Sequence, residues 1–254
     1  MMAMPTLTQK LANPTRFMEL SGRLLPWIAG LSAIVIAAGL VMSFAAPPDY
    51  QMGHTVKIMF VHVPAAWLSM FVYALIAASS FGLLVFRHPL ADVSAKAAAP
   101  LGAAFTFLAL VTGMLWGKPM WGAFWVWDPR LTSVLLLFFL YLGLMALRSS
   151  IDDEALAAKL TAVLSLVGIV ILPVIKFSVD WNSLHQPASV MRLGAPTIHA
   201  SLLWPLLVMA VGTTLLFAAL HLKAMRNEIL RRRVKAQRAF EADAAGGLAG
   251  QAAE

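Results

Sequence analysis

No cysteine occurs anywhere in the 254 residues. That excludes disulfides, thiol redox chemistry, iron–sulfur ligation and cofactor attachment through a Cys-x-x-Cys-His segment, so any prosthetic group must be held noncovalently. Charge is scarce as well, at 12% of residues, against 60% hydrophobic. This balance lies far outside that of an average soluble domain and marks a membrane protein. Nucleotide and hydrolase signatures are missing too. The nearest approach to a phosphate-binding loop, Gly113 to Pro119, has the wrong spacing and a proline where Ser or Thr is needed, so the chain is not itself an ATPase. There is no His-Glu-x-x-His, no Gly-x-Gly-x-x-Gly and no Gly-x-Ser-x-Gly, and nothing marks an enzyme of the hydrolase or dehydrogenase kind.

A bilayer core needs about 20 mostly apolar residues per helix. Six such stretches stand at roughly 24–46, 62–86, 98–116, 131–147, 158–178 and 198–222. The expected fold is all-α: a polytopic membrane protein, one bundle of six transmembrane helices. The first stretch is longer than the apolar core of a signal peptide and is followed by a poor cleavage site at Ala45-Ala46-Pro47, so it reads as a retained helix.

The basic residues orient the bundle. With both termini cytoplasmic, the inner segments hold Lys10, Arg16 and Arg23, then Arg87 and Lys96, then Arg148 and Lys159, then seven from Lys223 to Arg238. Only Lys57, Lys118, Arg130, Lys176 and Arg192 of the nineteen remain outside, as the positive-inside bias requires. The organisation expected is a cytoplasmic segment 1–23, a transmembrane domain 24–222 and a basic cytoplasmic tail 223–254. The net charge of +7 thus reflects topology rather than nucleic-acid binding. Within the tail, Arg226 to Arg238 has Ile229, Leu230 and Val234 interleaved, which suits a topology anchor or a helix against anionic membrane lipids. Residues 242–254 carry too little apolar bulk to pack and are expected to lack order. The inner connections 87–97 and 148–157 read as solvated links without chemistry.

The outer connections, near 47–61, 117–130 and 179–197, differ in kind, being rich in Trp, His, Pro and Gly. Four of the eight tryptophans crowd between Trp116 and Trp127. Singly, each suits an aromatic belt at the headgroups. Crowded together, with Gly117 and Gly122 as spacers, they suit a flat platform for a large planar ligand, and in a locally helical segment Trp121 and Trp125 would share a face. Asp128 and Arg130 flank the string as an ion pair, or Arg130 and Lys118 meet a ligand's carboxylates. Of six histidines, His54, His62, His185 and His199 lie on or near the outer side. His62 sits among apolar residues and wants a partner. His185 lies beside Trp181 in sequence, and two neutral imidazoles can ligate a haem iron without any cysteine. His54 and His199 read as capping or hydrogen-bonding residues. Met52, Met59, Met114, Met120 and Met191 are alternative soft ligands.

The string Trp-Gly-x-x-x-Trp-Gly-x-x-Trp-x-Trp-Asp from Trp116 to Asp128, preceded by Phe-Val-His-Val-Pro-Ala-Ala and followed by Leu-His-Gln-Pro, resembles the CcmC family of cytochrome c maturation. The resemblance covers roughly residues 15–225, and the Trp-rich motif marks the wider superfamily of haem-handling proteins. It implies that Trp116, Gly117, Trp121, Gly122, Trp125, Trp127 and Asp128 form a haem-binding platform at the periplasmic face of a bacterial inner membrane. It also implies that His62 and His185 are the axial ligands of a haem b held noncovalently and transiently. The implied partners are the haem chaperone CcmE, the small protein CcmD and the ABC module of CcmA and CcmB. The surface clustering of these residues argues against two further readings. A haem exporter or permease subunit working with an ABC ATPase needs a path between helices, and a membrane haem redox protein needs His pairs inside them.

Overall fold

The computed structural model describes residues 13–181 and 197–251, with side chains as far as residue 242. Its elements are helices: α1 (Pro14–Ala45), a 3-10 turn (His54–Ile58), α2 (Met59–Phe86), α3 (Pro89–Trp121), α4 (Pro129–Ser149), α5 (Glu154–Gly168), α6 (Ile171–Trp181) and α7 (Ala200–Gln251). Among the described residues they supply six stretches long and apolar enough to cross a membrane. The protein is an all-α, six-span membrane protein.

The fifth span, expected as one helix, is broken. α5 ends at Gly168, Ile169 and Val170 form a turn, and α6 begins at Ile171. Pro173 has no N–H for the carbonyl four residues back, and the Leu172 amide bonds instead to Ile169 O at 3.0 Å. α3 starts nine residues before the expected span, at Pro89, because proline suits a first helical position and His88 caps the helix by accepting from Leu90 N. At the other chain end α7 continues to Gln251, where composition predicted no order.

In a membrane there is little hydrophobic drive between helices, so close packing has to hold them. The main core joins Leu68, Val72, Tyr73 and Ile76 of α2 to Ala98, Ala99 and Ala103 of α3 and to Leu137 and Tyr141 of α4. Tyr73 and Tyr141 meet edge to face at 5.3 Å, and Tyr141 Oη donates to Ser69 O at 2.7 Å. Each ring is accommodated by a missing side chain: a Cβ on Gly102 would overlap Tyr141, and one on Gly168 would overlap the Tyr73 hydroxyl. Gly102→Ala is therefore expected to lose about 1–3 kcal/mol through overpacking, read as a lower unfolding midpoint in detergent. On α1, Gly39 admits Met209, while Ser32 Oγ donates to Gly212 O at 3.2 Å. That contact seats α1 along α7.

One end of the bundle is a lattice of ion pairs, in segments where the sequence suggested only solvated links. Asp92, buried in the first turn of α3, accepts from Arg148 at the end of α4 and from Arg232 of α7. Glu228 Oε1 accepts from Lys96 at 2.9 Å and from Arg231 and Arg232 at 2.7 Å each. Glu154 ties in Arg231 and Lys235. Arg226 donates to Met18 O and Ser21 Oγ of α1. Much of the basic stretch, which suited a topology anchor or a helix against lipid headgroups, thus has partners inside the protein.

Candidate functional site

The opposite end carries the tryptophans. Its floor is a second apolar cluster, in which Val56, Met59 and Phe60 meet Leu202, Leu206 and Met209 of α7, with Trp116 packed against it. The approach to α2 is pinned by Lys57, whose Nζ donates to Phe44 O of α1 at 2.6 Å.

His62 occupies the first turns of α2 and is seated on one face of α3. Its Nδ1 lies 3.0 Å from Ala109 O and 3.1 Å from Thr112 Oγ1. A carbonyl can only accept, so Nδ1 carries a proton and donates it to Ala109 O. The ring fits because residue 113 is glycine: a Cβ there would stand 3.1 Å from His62 Cε1. Trp116 closes the seat edge-on, at 5.7 Å and 72°. Ala109, Thr112, Gly113 and Trp116 fall at helical spacing, a pattern the sequence contained but whose target on α2 it did not reveal.

The Trp string is half helix and half extended. α3 runs to Trp121 and is ended by Gly122, whose φ of 74° lies in the left-handed region that suits glycine. The shared helical face expected for Trp121 and Trp125 therefore does not form. Trp121 instead folds back over Gly117, where a Cβ would lie 2.9 Å from its ring. Trp125 and Trp127 meet edge to face at 5.5 Å and 78°, so this pair does not present one flat sheet. Trp127 and Phe124 are largely exposed. Lys118, expected near a ligand carboxylate, donates to Gly122 O at 2.9 Å and lies over Phe124. Asp128 is buried and caps α4 by accepting from Leu131 N at 2.7 Å. That role explains the Asp-Pro at the end of the string.

Two donors at this end have no acceptor among the described residues, the buried Nε1 groups of Trp116 and Trp125. A buried unsatisfied donor costs about 1–3 kcal/mol, so such groups mark where another polar group belongs. His199 caps α7, its Nδ1 accepting from Ser201 N, and His54 opens the 3-10 turn, exposed. His185 and Met191 lie outside the described residues.

A family profile described as CcmC, heme exporter protein C, matches residues 7–240. The chain belongs to the CcmC family. A protein of that name from Bradyrhizobium diazoefficiens is 64% identical over 233 residues, covering 91% of this chain and 89% of the relative. Those from Paracoccus denitrificans and Escherichia coli K12 are each 46% identical, over 91% and 87% of this chain and 96% and 90% of their own lengths. Membership in the CcmC family thus spans every helix described above, the Trp end and the ion-pair lattice included.

Proposed function

We propose that this protein binds haem b noncovalently and transiently at the Trp end of the bundle, facing the periplasm, and delivers it to the chaperone CcmE. CcmD and the ABC module of CcmA and CcmB are the expected partners. The relatives are named heme exporter proteins, and the concentration of basic residues at the opposite end supports a periplasmic Trp end.

The observation that carries the reading is the seat of His62. A metal-ligating histidine characteristically donates its second ring N–H to a carbonyl or carboxylate, which fixes the ring and raises the basicity of the other nitrogen. The bond from Nδ1 to Ala109 O is of this kind and supports Nε2 as the atom that would meet the iron. His185 would supply the second imidazole. The N–H groups of Trp116 and Trp125 can donate to polar groups at the haem edge, and exposed Trp127 and Phe124 offer apolar surface. Gly117, Trp121 and Gly122 set the path of the chain there, and Asp128 anchors its exit into α4. Bound haem supplies a planar apolar ring and an iron open to two axial ligands. Holding it by two rings fixes which edge faces the chaperone.

The test is an absorption spectrum of the detergent-purified protein, expressed with and without its chaperone, in wild type and in a His62→Ala/His185→Ala variant. A low-spin bis-His spectrum in wild type that disappears in the variant is expected. Equal haem in both, or normal chaperone loading by the variant in cells, would overturn the ligand assignment.

A further inference from the structure

The first turn of α4 holds a cation with no acceptor among the described residues. Arg130 follows Pro129 and stands one turn before Ser133, on the face that goes on to bury Leu137, Tyr141 and Leu144. Its side chain therefore starts on the bundle side of α4, and it is half-buried. The Arg130 carbonyl accepts from Ser133 Oγ at 3.0 Å, but the guanidinium makes no hydrogen bond or ion pair among the described residues. Asp128 attracts it from two positions back without a hydrogen bond, its carboxylate capping α4 at Leu131 N. The other described cations at this end are accounted for: Lys57 donates to Phe44 O, Lys118 donates to Gly122 O, and Lys176 is exposed. A half-buried guanidinium without an acceptor is costly, and more so in a first helical turn, where the dipole favours anions.

Two contacts set the height of Arg130 in the bundle. Tyr141 of α4 lies against Gly102 of α3, and Phe138 of α4 meets Phe107 of α3 at 6.1 Å. The two helices run in opposite directions from the Trp string, so counting back along α4 matches counting forward along α3. Eleven positions lead from Tyr141 to Arg130 and from Gly102 to Gly113, the residue against which His62 Cε1 rests. Eleven residues make three turns and about 20°, so Arg130 keeps the facing of Tyr141. The phenylalanine pair gives the same level, since eight positions lead to Arg130 and to Leu115. Arg130 thus stands level with the seat of His62. The buried, unpartnered Nε1 donors belong to the same end: Trp116 is edge-on to His62, and Trp125 lies five positions before Arg130. All three groups are donors, and a carboxylate complements them.

Resting on the haem-handling reading above, we propose that Arg130 binds a carboxylate side chain of the haem. The site then selects a porphyrin with free carboxylates and holds that edge against the first turn of α4, which leaves the opposite edge for transfer. A guanidinium meets a carboxylate through two parallel N–H···O bonds, a geometry a lysine does not reproduce. Anionic lipid reaches arginines on the outside of a bundle, whereas the buried face of α4 and the two buried indoles favour a ligand that enters the site.

Haemin and its dimethyl ester share ring and iron and differ in the two carboxylates. Each is titrated into the full chain in phosphatidylcholine nanodiscs, as wild type and as Arg130→Gln, with the low-spin bis-His spectrum as readout. Arg130→Gln is expected to weaken haemin binding about ten- to hundred-fold, the range of a hydrogen bond to a charged group, and to leave the Kd of the ester nearly unchanged. Comparing the two proteins ligand by ligand cancels the unequal partition of haemin and ester into lipid. Arg130→Lys, which keeps the charge and loses the fork, should fall between wild type and Arg130→Gln. Equal weakening of both ligands would make Arg130 a structural residue and overturn the proposal. A haemin affinity that Arg130→Gln leaves unchanged would assign the arginine to lipid headgroups and overturn it as well. A bis-His spectrum in wild type beside either of these results would leave the haem site standing, whereas no spectrum in wild type with either ligand would overturn both.

Discussion

Gly113→Val is expected to fold as wild type and to lose ten- to hundred-fold in haem affinity, about the range found when groups that orient a metal ligand are disturbed. The position leaves no slack. A Cβ at residue 113 already stands 3.1 Å from His62 Cε1 and 3.5 Å from Nδ1, and valine adds two methyls. The imidazole must then swing away from Ala109 O, lose the bond that fixes its tautomer and leave the edge of Trp116. Gly113→Ala should give an intermediate loss, since a single methyl asks the ring to move only a few tenths of an ångström. Thr112→Val is the control: Ala109 O stays in place, and haem content should change little. Haem per polypeptide from the absorption spectrum, read beside the elution profile, separates loss of ligand from loss of fold. Wild-type haem content in Gly113→Val would remove His62, in this pose, from the site.

Asp92→Ala should have the largest effect on stability. Asp92 holds Arg148 and Arg232 together and is buried against both. Its removal leaves two guanidinium groups facing each other with one counter-charge gone. Breaking a buried pair from one side costs about 3–5 kcal/mol, because the desolvated partner stays behind. The unfolding midpoint in detergent should fall sharply, and the yield of intact membrane-inserted protein with it. Asp92→Ala combined with Arg148→Met, which removes one of the stranded charges, should recover part of the loss. If the single variant unfolds like wild type, the lattice does not hold the helices.

The six spans were legible because a bilayer demands long apolar runs, and these announce themselves in any sequence window. The ends of the spans were not. Residues 89–97 looked like a loop because Asp92 and Lys96 interrupt the apolar pattern. Their partners, Arg148, Arg232 and Glu228, stand 56, 140 and 132 positions away, and no local pattern points to them. The Trp string was visible as a composition anomaly and the importance of His62 as a polar ring in apolar surroundings. The seat of His62 was also written in the sequence, as small and polar residues at helical spacing ahead of Trp116. Periodicity identifies a face, however, and not the helix that meets it. Gly122 was read as space for a ligand, whereas its left-handed backbone ends α3 and turns the string from helix to extended chain. His185 lies outside the described residues, so its convergence with His62 rests on the resemblance.

The length of α7 has a mechanical consequence. Its 52 residues make a rod of roughly 78 Å, more than twice the thickness of a hydrocarbon core. Near one end, Leu202, Leu206 and Met209 belong to the apolar floor on which Trp116 rests. Further along, Glu228, Arg231 and Arg232 are bolted to α3 and α5, leaving the last turns projecting past the lattice. One helix thus carries side chains of both the floor beneath Trp116 and the ion-pair lattice, so the two ends of the bundle share a single continuous element.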